Sequence, residues 1–119
     1  MYRIEIKELP PTLNKFWAGV HWRKRKEIAD TWHLIFKNAF RKANLPKPLP
    51  KKDVPYIIQC TQFCKSRVRD DDNAIVGTKL CKDALTHWGY IEDDDYKTFN
   101  DGVTSTRKGK ENMMVILIM

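Results

Sequence analysis

The sequence contains no apolar run approaching the ~20 residues that span a bilayer, so no membrane partner is expected. It also lacks the pattern of a secretory leader. "MYRIEIKELP" alternates charged and apolar residues and no apolar h-region follows, which makes the cytoplasm the expected compartment. Cysteine is scarce: Cys60, Cys64 and Cys81 are an odd number, which argues against a disulfide framework. On a strand, Cys60 and Cys64 would share one face, either as half of a metal site or as two small buried hydrophobes. No second Cys/His pair at zinc spacing follows, and His21, His33 and His87 are scattered, so packing is the favoured reading. No internal repeat is present, and 119 residues suit one domain, 1–119.

Acidic residues are in deficit. Lysine and arginine total 22 against 15 aspartates and glutamates, a net charge of +7 that favours polyanionic partners. The acids are also clustered. "RDDDN" (Arg69–Asn73) and "EDDDY" (Glu92–Tyr96) each hold three consecutive aspartates.

The hydropathy pattern predicts an α+β fold: a small single domain with a mixed β-sheet packed against two helices, in the order β-α-β-α-β-β. "YRIEIKE" alternates as a half-buried strand, and Pro10-Pro11 ends it. From Arg23 to about Asn44, apolar residues recur at helical spacing: Ile28, Trp32, Ile35, Phe36, Ala39 and Phe40. "LPKPLPKKDVP" is a proline-rich connector. "YIIQCTQFCK" reads as a buried strand. "TKLCKDALTHW" reads as a helix that starts either near Asp72 or at Thr78 after Gly77, with Gly89 as its C′ residue. A strand through about Thr106, a turn at "RKGKEN" and a continuous apolar strand "MMVILIM", central or covered on both faces, close the chain.

Asp70 and Asp72 fall at the end of a strand or the start of a helix, and Asp93, Asp94 and Asp95 follow that helix. A helix packed back on the sheet is expected to bring these acids together. Convergent carboxylates repel unless a cation neutralises them, and oxygen-only ligands suit Mg2+ or Mn2+. A carboxylate-held metal within a basic surface is an arrangement for phosphodiester hydrolysis. The plainer reading is that each cluster caps or punctuates a turn. An EF-hand is excluded, because "DDDNAIVGTKLC" lacks the central Gly and terminal Glu.

The text around the first cluster is more specific. "RVRDDDNAIVGTKLCKDALTHWGYIEDDD" resembles the RusA family of Holliday junction resolvases, which carry D-x-D-N, a lysine, D-A-L, a glycine and then D-D. Here these are Asp70–Asn73, a lysine, Asp83–Leu85, Gly89, and Asp93 with Asp94. "LPPTLNKFW" is similar to the family's early P-P-S/T-x-N segment, and "MMVILIM" to its closing strand. One departure concerns the lysine. The family places it three residues after the Asn, where this chain has Val76; Lys79 keeps the spacing to D-A-L, with Lys82 as fallback.

The resemblance implies a homodimer that uses Mg2+ or Mn2+ to nick four-way DNA junctions in pairs, in a bacterial host cytoplasm if phage-encoded. It implies that Asp70, Asp72 and Asp94 ligate the metal, with Asp93 as a possible addition. Asp72 either ligates or serves a general base. Lys79 would meet the scissile phosphate. Asn73 either orients a carboxylate or caps the helix.

The expected DNA contacts are Lys15, Arg23, Lys24, Arg25, Lys26, Lys65, Arg67 and Arg69. Four cations at the start of the long helix oppose its macrodipole, and phosphate binding gives that local cost a reason. Arg107, Lys108 and Lys110 are read as a hairpin tip, either gripping a DNA arm or solvated. Phe16, Trp17 and Trp22 either wedge between bases or pack over the core. Two other classes compete: a non-catalytic DNA-binding protein of the same fold, and a nuclease for other branched nucleic acids.

Overall fold

Tyr2–Ile6 forms a strand (β1) in which Ile4 and Ile6 are buried and Arg3 and Glu5 exposed, as its alternation requires. A one-turn helix (α1, Leu13–Phe16) and a 21-residue helix (α2, Trp22–Lys42) follow. The computed structural model describes residues 1–16, 19–92 and 99–119, apart from the side chains at 13, 14 and 101. Trp32, Phe36 and Phe40, spaced four apart, form the buried stripe of α2. The helix stops where Asn44 turns to φ 56°, so that its N–H reaches Arg41 O (3.1 Å) and that of Leu45 reaches Phe40 O (3.0 Å).

The remaining elements are β2 (Tyr56–Cys64), α3 (Asp71–His87), β3 (Phe99–Lys108) and β4 (Met113–Ile118). The observed order is β-α-α-β-α-β-β, the expected one plus the short α1. The strands form one four-stranded mixed sheet in the order β1-β4-β2-β3. β4 is central and antiparallel to both neighbours, whereas β2 and β3 run parallel. A parallel pair needs a crossover, and α3 is that crossover. α2 packs on β1 and α3, and α3 packs on β2 and β3. Ile4, Ile58, Cys60, Met114, Ile116 and Ile118 lie fully or almost fully buried beneath them.

One expectation is corrected, and one of two open alternatives is decided. The last two strands do not form a hairpin, because β2 lies between β3 and β4. Their connection instead crosses the end of β2, where Gly109 N donates to Cys64 O (3.0 Å) and Lys65 N to Asn112 Oδ1 (2.9 Å). The second helix does not begin at a Thr78 cap. It runs unbroken from Asp71, with Gly77 buried inside it and Thr78 Oγ1 3.1 Å from Thr104 Oγ1. Gly89 takes the C′ place with φ 80°, and Tyr90 N closes on Leu85 O (2.9 Å).

The three cysteines are free and buried. Burial pushes the Cys60 thiol up to about 11, so it stays protonated at neutral pH. No helix among the described residues is long and apolar enough to cross a membrane.

Candidate metal and nucleic-acid site

Carboxyl ends of parallel strands are where open α/β sheets take ligands, because helix starts and strand ends converge there. Here that end carries the loop Lys65–Asp70 and the start of α3. Asp70 is the N-cap residue of α3 in extended conformation (φ −68°, ψ 143°), yet its side chain makes no capping hydrogen bond. An N-cap aspartate ordinarily spends an oxygen on the backbone N–H two or three residues on. Asp70 and Asp72 are both exposed, and Asp71 and Asp72 sit in the helix's first turn, where negative charge complements the dipole. Asp71 differs from its neighbours, because its Oδ1 lies 3.0 Å from the Thr106 hydroxyl of β3.

Asn73 is not the cap. It stands inside the first turn, its N–H donating to Asp70 O (3.0 Å). Lys79 is exposed on the same continuous helix, seven residues past Asp72. Seven residues are nearly two turns, so the two positions share a face. Lys82 is half-buried one turn further on.

Asp93 and Asp94 lie outside the described residues. The described residues that flank them, Glu92 and Phe99, sit at the other end of the sheet. Phe99 is in register with Tyr56 at the start of β2, and Glu92 lines a groove with Lys51, Lys52 and Tyr56. A strand–helix–parallel-strand unit carries the chain along the sheet and back, so residues before and after the helix start at opposite ends. The 17 residues of α3 span about 25 Å. Asp70 and Glu92, the described residues on either side of the crossover helix, therefore lie toward opposite ends of the sheet.

Among the described residues, no three His, Cys, Asp or Glu side chains are grouped around a metal-sized space. Asp70 and Asp72 are exposed carboxylates, the donor type of a magnesium-type ion, which keeps several waters and takes only one or two carboxylates.

The expected DNA contacts divide into two kinds. Lys15 is exposed on α1, which packs against α3, and Lys65 and Arg67 are exposed in the loop that precedes Asp70. Arg23, Lys24 and Lys26 are exposed at the start of α2, and Arg25 is partly buried. His21 caps this helix, its Nδ1 accepting from Arg23 N (3.1 Å). The Arg23 guanidinium lies 5.4 Å from the ring centroid of Trp22, which is 58% exposed. Pro11 lines a groove with Lys24 and Glu27, and the adjacent Pro10 carbonyl accepts from Arg69, so one segment touches the starts of both helices.

Arg69 turns inward, and Lys108, although exposed, is bonded to the loop backbone. Arg69 Nη1 donates to Pro10 O and to Gln62 Oε1 (3.1 Å), and burial lowers its pKa from the ordinary value. Lys108 Nζ donates to the carbonyls of Lys65 (2.6 Å) and Ser66 (2.5 Å), holding the loop instead of reaching outward. Phe16 is buried, Trp22 is exposed, and Trp17 lies outside the described residues.

The chain matches no protein-family model and no curated protein.

One residue of the site escaped the sequence reading. Gln62 is fully buried in β2, and its position there carried a signal: Tyr56, Ile58, Cys60, Gln62 and Cys64 share the buried face. A glutamine among four apolar neighbours must find partners for both ends of its amide.

Proposed function

We propose that this protein is a Mg2+- or Mn2+-dependent endonuclease of the RusA type that acts as a homodimer and nicks four-way DNA junctions. One observation carries this reading. Asp70 occupies the cap of α3 without capping it, and stands with Asp72 at the carboxyl end of the parallel strand pair. A purely structural role for Asp70 would use that oxygen for the cap.

Asp70 and Asp72 would hold the ion; the sequence resemblance adds Asp94, which lies outside the described residues. Bound there, the metal would polarise a phosphoryl oxygen and supply hydroxide near neutral pH. Lys15, Lys65 and Arg67 bind flanking phosphates, and the start of α2 extends the contact along an adjoining arm. Lys79, on the Asp72 face of α3, meets the charge that develops on the scissile phosphate. Asp72 either completes the ligand set or takes the proton of the attacking water. A four-way junction presents two symmetry-related strands, and a two-fold dimer matches them.

The test is cleavage of a labelled four-way junction, a flap and a plain duplex in Mg2+ or Mn2+. Junction cleavage that is lost in Asp70→Asn and Asp72→Asn, with junction binding kept, supports the enzyme. Wild-type protein that binds the junction but cuts none of the three substrates points instead to a DNA-binding protein.

A further inference from the structure

We propose that Gln62, with Thr106 from the neighbouring strand, positions the carboxylates of Asp70 and Asp72; the inference rests on reading that pair as a metal site. Gln62 is 0% exposed on the helix-facing side of β2. Burying an amide among Ile, Met and Cys side chains is unfavourable unless both of its ends are bonded. Both are. Gln62 Nε2 donates to Ala74 O (3.0 Å), and Oε1 accepts from Arg69 Nη1 (3.1 Å). The partners fix which end is which, since a guanidinium only donates and a carbonyl only accepts.

Residues 69 and 74 bracket the two aspartates. One side chain from the core thus holds the segment on both sides of the site. The same Arg69 nitrogen also donates to Pro10 O, which ties in the segment that precedes Lys15. From β3, the Thr106 hydroxyl lies 2.6 Å from Arg69 O and 3.0 Å from Asp71 Oδ1. Its single proton serves one acceptor at a time, and both acceptors belong to this segment. A helix whose cap residue makes no capping bond would fray at its first turn. Here bonds from β2 and β3 hold the flanking residues Arg69, Asp71 and Ala74 in place, while the Asp70 side chain spends no oxygen on a capping bond. An amide is the side chain that offers a donor and an acceptor at fixed separation, so leucine or methionine cannot do the same.

The experiment measures the Mn2+ concentration that half-activates junction cleavage, together with direct Mn2+ binding followed by electron paramagnetic resonance. Its subjects are the wild-type protein, Asp70→Asn, Gln62→Leu and Thr106→Val, each with a thermal melt. Gln62→Leu is expected to raise the midpoint about 10–100-fold, the range typical when an outer partner of a metal ligand is removed. Saturating Mn2+ restores its cleavage but does not restore that of Asp70→Asn. Thr106→Val, an isosteric change at a partly exposed position, shifts the midpoint the same way by a smaller factor. If Gln62→Leu does not fold, Thr106→Val decides. Folded variants with the wild-type midpoint overturn the positioning role and leave the nuclease reading intact. Wild-type protein that neither binds Mn2+ nor cuts overturns the nuclease reading itself.

Discussion

The imidazole rings of His33 and His87 stack with centroids 4.9 Å apart and so join the middle of α2 to the last turn of α3. The joint is reinforced on one side, where Trp88 Nε1 donates to His33 O (2.8 Å) and Lys37 Nζ lies 4.3 Å from the Trp88 ring centroid. His33 Nε2 is buried without a hydrogen-bond partner among the described residues. Burial first, then His87, lowers the His33 pKa from its ordinary 6.5, while Asp83 and Asp30 pull the other way. A depressed pKa means that the unfolded chain takes up the proton first. Stability is therefore complete above about pH 6.5 and declines as pH falls toward the folded-state value. Melting temperature should drop between pH 7.5 and 5, and drop less in His33→Phe. Parallel pH profiles for the two proteins would rule this out.

Gly77 sets the distance between α3 and the sheet. A Cβ there would lie 2.9 Å from Gln62 Nε2, 3.0 Å from Met114 Sδ and 3.0 Å from Pro10 Cγ. All three neighbours are buried, and Gln62 is bonded at both ends, so they cannot easily move together. Alanine would gain about 1 kcal/mol of helix propensity and lose about 1–3 kcal/mol to overpacking. Gly77→Ala should be net destabilised in urea unfolding, against the gain that propensity alone forecasts. A rise in the urea midpoint would refute it.

The three consecutive aspartates should behave differently. Asp71 offers Oδ1 to Thr106, and Asn in its place still offers an oxygen, so Asp71→Asn should keep cleavage within a few-fold. Asp70→Asn and Asp72→Asn should each lose about a hundredfold or more. Single-turnover rates on one junction decide this, and equal losses in all three would show that the reading of Asp70 is wrong.

Salt dependence sorts the cations. Lys15, Lys65 and Arg67 are exposed, and replacing any one with Ala should reduce the slope of log K against log[salt] by about 1. Lys108 is exposed, but its ammonium is bonded to the Lys65 and Ser66 carbonyls, so Lys108→Met should leave the slope unchanged and lower the melting temperature. A reduced slope for Lys108→Met would return that residue to the DNA contacts.

Local signals carried much of the fold. The four-residue spacing of Trp32, Phe36 and Phe40 marked the buried face of α2, and Gly89 marked the end of α3. The alternation in "YRIEI" marked β1. Gly77 misled, because a glycine within a helical pattern reads as a weak point when judged by propensity. Its tertiary role is to let α3 approach Gln62, Met114 and Pro10. His33 and His87 were scattered in sequence, and packing of α2 on α3 brought them together.

The sequence by itself determined which segments are helix or strand and where most of them stop. Hydrophobic period and capping residues act over a few positions, and their physics is complete within each segment. Only the tertiary structure decided that β2 and β3 run parallel with β4 on the other side of β2, and hence which end of the sheet carries Asp70. It also decided that Arg69 turns inward, that Lys108 is tied to the loop after β2, and that Gln62 braces the start of α3. These outcomes depend on which distant surfaces bury one another and which buried polar groups must then be paired, and no local pattern encodes that choice.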